Sequence, residues 1–190
     1  MSFDLENIAV LTGDIVKSTR LTRNEREALF TGLKAGATAV EAIQGVAPRF
    51  ALRACLMMRA YIRQENKAFE TRISVGVGEV EPLSSEGLGA SDGPAFQASG
   101  RGLKALKGAQ YFTINTPDQP IYILADEISK GWTQAQARVL CKSLTRPHPT
   151  QDSLASYLGV SRVTVRGHQI AAGEPALLEV LDILEGTSSP

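Results

Sequence analysis

The segment Arg72 to Val80, RISVGVGEV, constrains the fold of this chain more than any other stretch. Its strict alternation sets Ile73, Val75 and Val77, followed by Glu79, on one side of a strand. Gly76 and Gly78 on the other side leave a bare backbone strip. Such a strip lets another backbone, a helix or a ligand approach closely. This Gly-x-Gly lies inside a strand with no helix opening directly after it, so it is not a dinucleotide-binding fingerprint.

Around this strand the first two thirds of the chain mix periods. Ile8 to Val16 alternates poorly and predicts a buried strand covered on both faces. Asn24 and Glu27 form a capping-box pattern for a long amphipathic helix that carries Leu29, Phe30, Leu33, Ala37, Val40 and Ile43 and ends at Gly45. Pro48 opens a second helix with Phe50, Ala51, Ala54, Cys55, Met58, Tyr61 and Ile62 on one face. Arg49, Arg53, Arg59 and Arg63 share the other face, a pattern expected of a solvated surface, with phosphate binding as the alternative. A loop rich in Ser, Gly and Glu spans Pro82 to Ala90, and a helix follows to Gly108 with Ser91 or Asp92 as its cap and Pro94 in its first turn. Tyr111 to Asn115 and Ile121 to Leu124 predict a hairpin joined at Thr116 to Pro120.

After Leu124 the texture is helical only. One helix is expected over Asp126 to Leu144, with Ile128, Trp132, Ala135, Val139 and Leu140 as its buried stripe and Gly131 as its weak point. Arg146-Pro147-His148-Pro149 is a stiff break and the best linker. Three short helices then fill Gln151 to Gly186. The expected organisation is an α+β domain over 1–125, a connecting helix over 126–146, a helix-turn-helix domain over 147–186 and a disordered tail over 187–190.

Composition narrows the class. The 190 residues are 43% hydrophobic, enough for one medium domain with a small appendage. There is no apolar run of membrane-spanning length and no signal-peptide pattern at the N-terminus, so a cytoplasmic protein without membrane contact is expected. Cys55 and Cys141 sit in helical patterns without metal-ligand spacing and are expected as reduced core residues. With His148 and His168 as the only histidines, a zinc site is not expected. Formal net charge is zero, so nucleic-acid contact would need a local basic patch.

Two places carry candidate chemistry. In TGDIVKSTR, Asp14 is a lone carboxylate among β-branched residues, costly unless solvated, paired or metal-bound. Either Lys17, Arg20 and water satisfy it at the sheet edge, or it is a divalent-cation ligand at a phosphate site. Gly13 to Ser18 lacks the glycine that a Walker A loop needs before its Lys-Ser pair. The second place is Gln151 to Arg166. Leu154, Ala155 and Leu158 share a helix face, Gly159 supplies a positive-φ turn, Val160 plugs the corner, Ser161 caps the next helix and Val165 packs inward. That is a helix-turn-helix layout. Ser161 heads the candidate DNA-contacting set, with Arg162, Thr164, Arg166, His168 and Gln169 pointing outward. The competing use is docking or dimerisation.

TGDIVKS, RISVGVGEV, SDGPAFQASGR and GWTQAQA, together with the helix-turn-helix, resemble the SatD family over most of the chain. The resemblance implies a ferredoxin-like, degenerate class III nucleotidyl cyclase-like domain, a sheet with helices on one face, ahead of the DNA-binding domain. It implies that Asp14 is the first metal-binding aspartate, holding Mg²⁺ or Mn²⁺, and that Gly13, Ser18, Thr19, Asp92, Gln97 and Arg101 surround a nucleotide. Gln97 falls near the family's transition-state asparagine, and Arg101 matches the arginine that stabilises charge on the phosphate. Such proteins carry a hairpin with the second metal-binding aspartate between the first two helices. Here Gln44-Gly45-Val46-Ala47 runs directly into Pro48. Either a dimer partner completes the domain or a segment is missing from this sequence; the unchanged flanking helices favour the latter, and an intact mass above 20.3 kDa would show it. A single carboxylate holds Mg²⁺ poorly, so the expectation is a DNA-binding regulator, a homodimer whose N-terminal domain senses nucleotide or dimerises, with a metal-dependent nucleotidyl cyclase or related enzyme as the alternative.

Overall fold

The structure, a computed structural model, describes residues 7–42, 47–79 and 92–187. Three expectations fall outside them: the hairpin junction at Gln44 to Val46, the loop from Pro82 to Ser91, and the tail beyond Thr187.

The described residues form an α+β fold with a three-stranded mixed sheet. Strand β1 is Ile8–Ile15, β2 is Thr71–Gly78 and β3 is Phe112–Ile114. β1 pairs antiparallel with β2, with Leu11 opposite Val75 and Asp14 opposite Arg72, and β3 runs parallel to β2. The helices are α1 (Arg23–Ala42), α2 (Ala51–Arg63), α3 (Pro94–Ala105), α4 (Gln119–Lys130), α5 (Gln134–Ser143), α6 (Gln151–Leu158), α7 (Arg162–Ala171) and α8 (Glu174–Glu185).

Gly76 and Gly78 decide the packing of one sheet face. A Cβ on Gly76 would lie 2.0 Å from the Ala95 carbonyl oxygen, so α3 rests directly on the β2 backbone. Gly102 repeats the device from the helix side, where a Cβ would lie 2.3 Å from Ser74 Oγ. On the opposite face Ile73 and Val75 join Leu52, Cys55 and Leu56 of α2 in the main core. Helices therefore cover both faces of the sheet rather than one, because the glycine strip and the β-branched strip of β2 each demand a partner. β1 is an edge strand in which Ala9 is the one fully buried residue, not a strand covered on both faces.

Helix boundaries also differ from expectation where local chemistry offered two choices. The capping box of α1 is Thr22 with Glu25, not Asn24 with Glu27: the Thr22 N–H donates to Glu25 Oε2 at 2.8 Å and the Glu25 N–H donates to Thr22 Oγ1 at 3.3 Å. Helix α3 starts from Gly93 without a side-chain cap, while Asp92 Oδ1 accepts from the Gly93 N–H at 2.7 Å. The expected hairpin does not form, since Pro120 sits in the first turn of α4 and carries Ile121 to Leu124 into that helix. The single helix over 126–144 is two helices, separated at Gly131 and restarted by a capping box of Thr133 and Gln136. Of its expected stripe, Trp132, Val139 and Leu140 are buried, whereas Ile128 and Ala135 face solvent.

The arginine face of α2 is the largest departure. Arg49 is exposed as expected, but Arg53, Arg59 and Arg63 are buried. Arg59 donates to Glu70 Oε1 at 3.0 Å and Asp126 Oδ1 at 2.8 Å, bonds Ser129 Oγ, and lies 3.9 Å from the centre of the Phe112 ring. Arg63 shares Glu70 and donates to the Trp132 carbonyl. Arg53 grips Glu185 at the end of α8 with two bonds, at 2.6 and 3.0 Å. Each charge is neutralised by a carboxylate outside α2, which is what allows the helix to be buried almost all round. Leu177 and Leu181 of α8 belong to the same core cluster as Ile73 and Val75. Cys55 and Cys141 are buried and free, and burial pushes the Cys55 thiol up to about 12. Among the described residues no helix is long and apolar enough to cross a membrane.

Candidate functional site

The three last helices and their turns carry the clearest candidate surface. Thr150 caps α6 by accepting from the Ser153 N–H at 3.2 Å. Gly159 then adopts φ 66°, the left-handed conformation that a residue with a side chain rarely takes, and the chain turns sharply. Ser161 caps α7: its Oγ accepts from the Thr164 N–H at 3.1 Å and lies 2.9 Å from Thr164 Oγ1. Leu154, Ala155, Val165 and Val139 of α5 bury one another in a small core, with Leu158 packed against it. Trp132 Nε1 donates to the Ala172 carbonyl at 2.9 Å and fixes the far end of α7.

With one face of α7 so anchored, the other is free. Arg162, Val163, Thr164 and Arg166 are all exposed, Val163 at 82% of its surface, and Arg162, Val163, Arg166 and Gln151 line a shallow surface depression. Arg162 forms an ion pair with Asp152 of α6 at 3.2 Å. His168 is half-buried at the margin. Two expectations need correction. Gln169 is buried and its Oε1 accepts from Gln151 Nε2 at 3.2 Å, because a fourth turn position returns to the face of Val165. Val160 does not plug the corner; it is 41% exposed, its N–H held by the Ala155 carbonyl at 3.1 Å. Val163 and Asp152 were not singled out by sequence reasoning; a valine one residue into a capped helix gives no signal until its face is known.

Behind α7, Glu174 is the buried first residue of α8, and its Oε1 has no hydrogen-bond partner among the described residues. Burial pushes its carboxyl up, against smaller opposing pulls from Ser143, His148 and Arg166.

The depressions lined by described residues gather the residues expected around a nucleotide only in part, Ser18 and Thr19 in one and Arg101 in another. Both Asp14 carboxylate oxygens are taken by its cross-strand neighbour Arg72, whose Nε and Nη2 each donate at 2.9 Å. Neither Lys17 nor Arg20 satisfies it. This pairing is invisible until the antiparallel register sets the two residues opposite each other. Gly13 is exposed on β1 beside Asp14. Ser18 and Thr19 lie in a short 3₁₀ turn and border an apolar groove formed with Ile15, Leu21, Leu29 and Phe30. Asp92 and Gln97 meet each other, with Gln97 Nε2 donating to Asp92 Oδ1 at 3.3 Å. Arg101 borders a separate depression with Ser74, Thr113 and Asn115, one that does not include Asp14. Among the described residues no group of three or more His, Cys, Asp or Glu side chains is placed to hold a metal ion. Comparisons with protein-family models, curated proteins and solved structures gave no match.

Proposed function

We propose that this chain is a DNA-binding regulatory protein in which α6 and α7 act as a helix-turn-helix and α7 enters the major groove. The observation that carries this reading is the outer face of α7: Val163 stands 82% exposed beside Arg162 and Arg166 on a helix anchored from its other side by buried Val165 and Gln169. An exposed valine beside two arginines suits a groove, where the arginines reach guanine edges or phosphates and Val163 and Thr164 meet thymine methyl groups. The capped N-terminus of α7 adds a partial positive charge toward the phosphates. In the same reading, and as the SatD resemblance implies, the sheet with its β-α-α-β order is a reduced ferredoxin-like, nucleotidyl cyclase-like domain for nucleotide sensing or dimerisation, and the protein is cytoplasmic. The enzyme alternative draws less support, because Arg72 occupies Asp14 and Arg101 borders a different depression. The test is fluorescence anisotropy with short duplexes of mixed sequence at low salt. Combined Arg162→Ala and Arg166→Ala should weaken binding at least tenfold with the melting temperature unchanged; unchanged binding would refute the assignment.

A further inference from the structure

The outer edge of β1 is the most unusual surface that the α7 reading leaves unused. The Val16 N–H donates to the Glu70 carbonyl at 3.0 Å and Thr71 Oγ1 donates to the Asp14 carbonyl at 2.9 Å, so the even-numbered residues of β1 turn their backbone groups toward β2. In an antiparallel ladder the odd-numbered residues must then turn theirs outward. Ala9, Leu11, Gly13 and Ile15 accordingly have no backbone partner at that edge among the described residues. An open edge of this kind is normally blunted by brevity, by lysine or proline, or by a bulge. The opposite edge of the sheet follows that rule, with β3 only three residues long. β1 does not: it is eight residues, IAVLTGDI, regular in register, and its single charge is neutralised by Arg72. Its side chains are also left half-covered. Ile8, Val10, Leu11 and Thr12 are only half-buried, whereas Ile73 to Gly76 of β2 are buried.

We infer that β1 of a second copy of this chain pairs antiparallel along this edge, joining the two sheets into one. A two-fold axis perpendicular to the sheet requires residues of like parity to face each other. Centred on Thr12, it sets Leu11 opposite Gly13, Ala9 opposite Ile15 and Val10 opposite Asp14 of the other copy. Every outward backbone group of Ala9, Leu11, Gly13 and Ile15 is then paired, and the two Asp14 residues lie well apart across the axis. The strand is thus complementary to itself, which favours a second copy over a foreign strand. Of the stretches outside the described residues, 80–91 contains Pro82, Gly87 and Gly89 and is a poor strand former, while 1–6, which would have to double back on Ile8, and 43–46 are too short to pair along eight residues. This inference does not depend on DNA binding.

The register supplies its own test, read by sedimentation velocity on the full-length protein over a micromolar dilution series. The wild type should sediment at twice the 20.3 kDa chain mass. Val10→Asp brings like charges together at Asp14 and should weaken dimerisation at least tenfold, whereas Val10→Lys should leave it unchanged or tighten it. Thr12→Cys should form a disulfide-linked dimer on mild oxidation, since non-hydrogen-bonded pairs lie within disulfide reach and the native cysteines are buried. Circular dichroism verifies that each variant is folded. A monomeric wild type at all concentrations, or a dimer that is indifferent to both Val10 variants and does not cross-link through position 12, overturns the inference.

Discussion

At the scale of single residues, the absence of a side chain is as informative as its presence. Gly76 was legible as a bare strip in the sequence, though not what would cover it; the structure places α3 there at a distance no Cβ could tolerate. Gly76→Ala should therefore force the helix from the sheet and cost about 3 kcal/mol, as overpacking at a rigid backbone contact does. Gly100, on the same helix with open space where a Cβ would stand, is the control: Gly100→Ala should stabilise by about 0.5–1 kcal/mol through helix propensity. Urea denaturation of the two variants separates these outcomes, and equal effects would contradict the packing. Asp14 shows the opposite limit. Its carboxylate was readable as needing a partner, but Arg72 lies 58 positions away and becomes a neighbour only through strand register.

At the scale of elements, α2 shows how a pattern can mislead. Arginines on one face of an apolar helix look solvated because their carboxylate partners, Glu70, Asp126 and Glu185, come from β2's approach, α4 and α8. Glu70 is close in sequence, but Asp126 and Glu185 lie 67 and 132 positions from their arginines, beyond any local window. Arg59→Ala leaves Glu70 and Asp126 buried without their shared cation and should destabilise by about 3–5 kcal/mol, while Arg49→Ala on the exposed end should stay within about 0.5 kcal/mol. Chemical denaturation reads both. The last helices were the most legible, because Gly159 and Ser161 punctuate the chain with local chemistry that needs no distant partner. In the proposed DNA complex, Asp152 of α6 would compete with phosphate for Arg162 of α7. Asp152→Asn should therefore tighten DNA binding severalfold in the same anisotropy titration, with the effect shrinking as salt rises; a loss of affinity would point to a different docking face.

For the molecule as a whole, the division into a sheet region and a helical region visible in composition coexists with shared packing. Leu177 and Leu181 of α8 sit in the core built by β2 and α2, and Arg53 binds Glu185 across the same contact. The candidate recognition helix is thus mounted on the sheet through α5, α8 and Trp132 rather than hung from a free linker. What was not readable is which partners the cyclase-type residues take: Arg72 holds Asp14, Asp92 accepts from Gln97, and Arg101, one turn beyond Gln97 on α3, borders a depression with Ser74. With zero net charge, the proposed DNA binding requires a local basic patch, which the proposal places on the face of α7, and this makes its salt dependence diagnostic. The most direct measurement is the slope of log affinity against log salt for wild type and for the Arg162→Ala, Arg166→Ala variant. A negative wild-type slope that flattens by about 2 in the variant, roughly one phosphate contact per arginine, is the predicted result. Absent binding at low salt, or a slope identical in the two proteins, would contradict it.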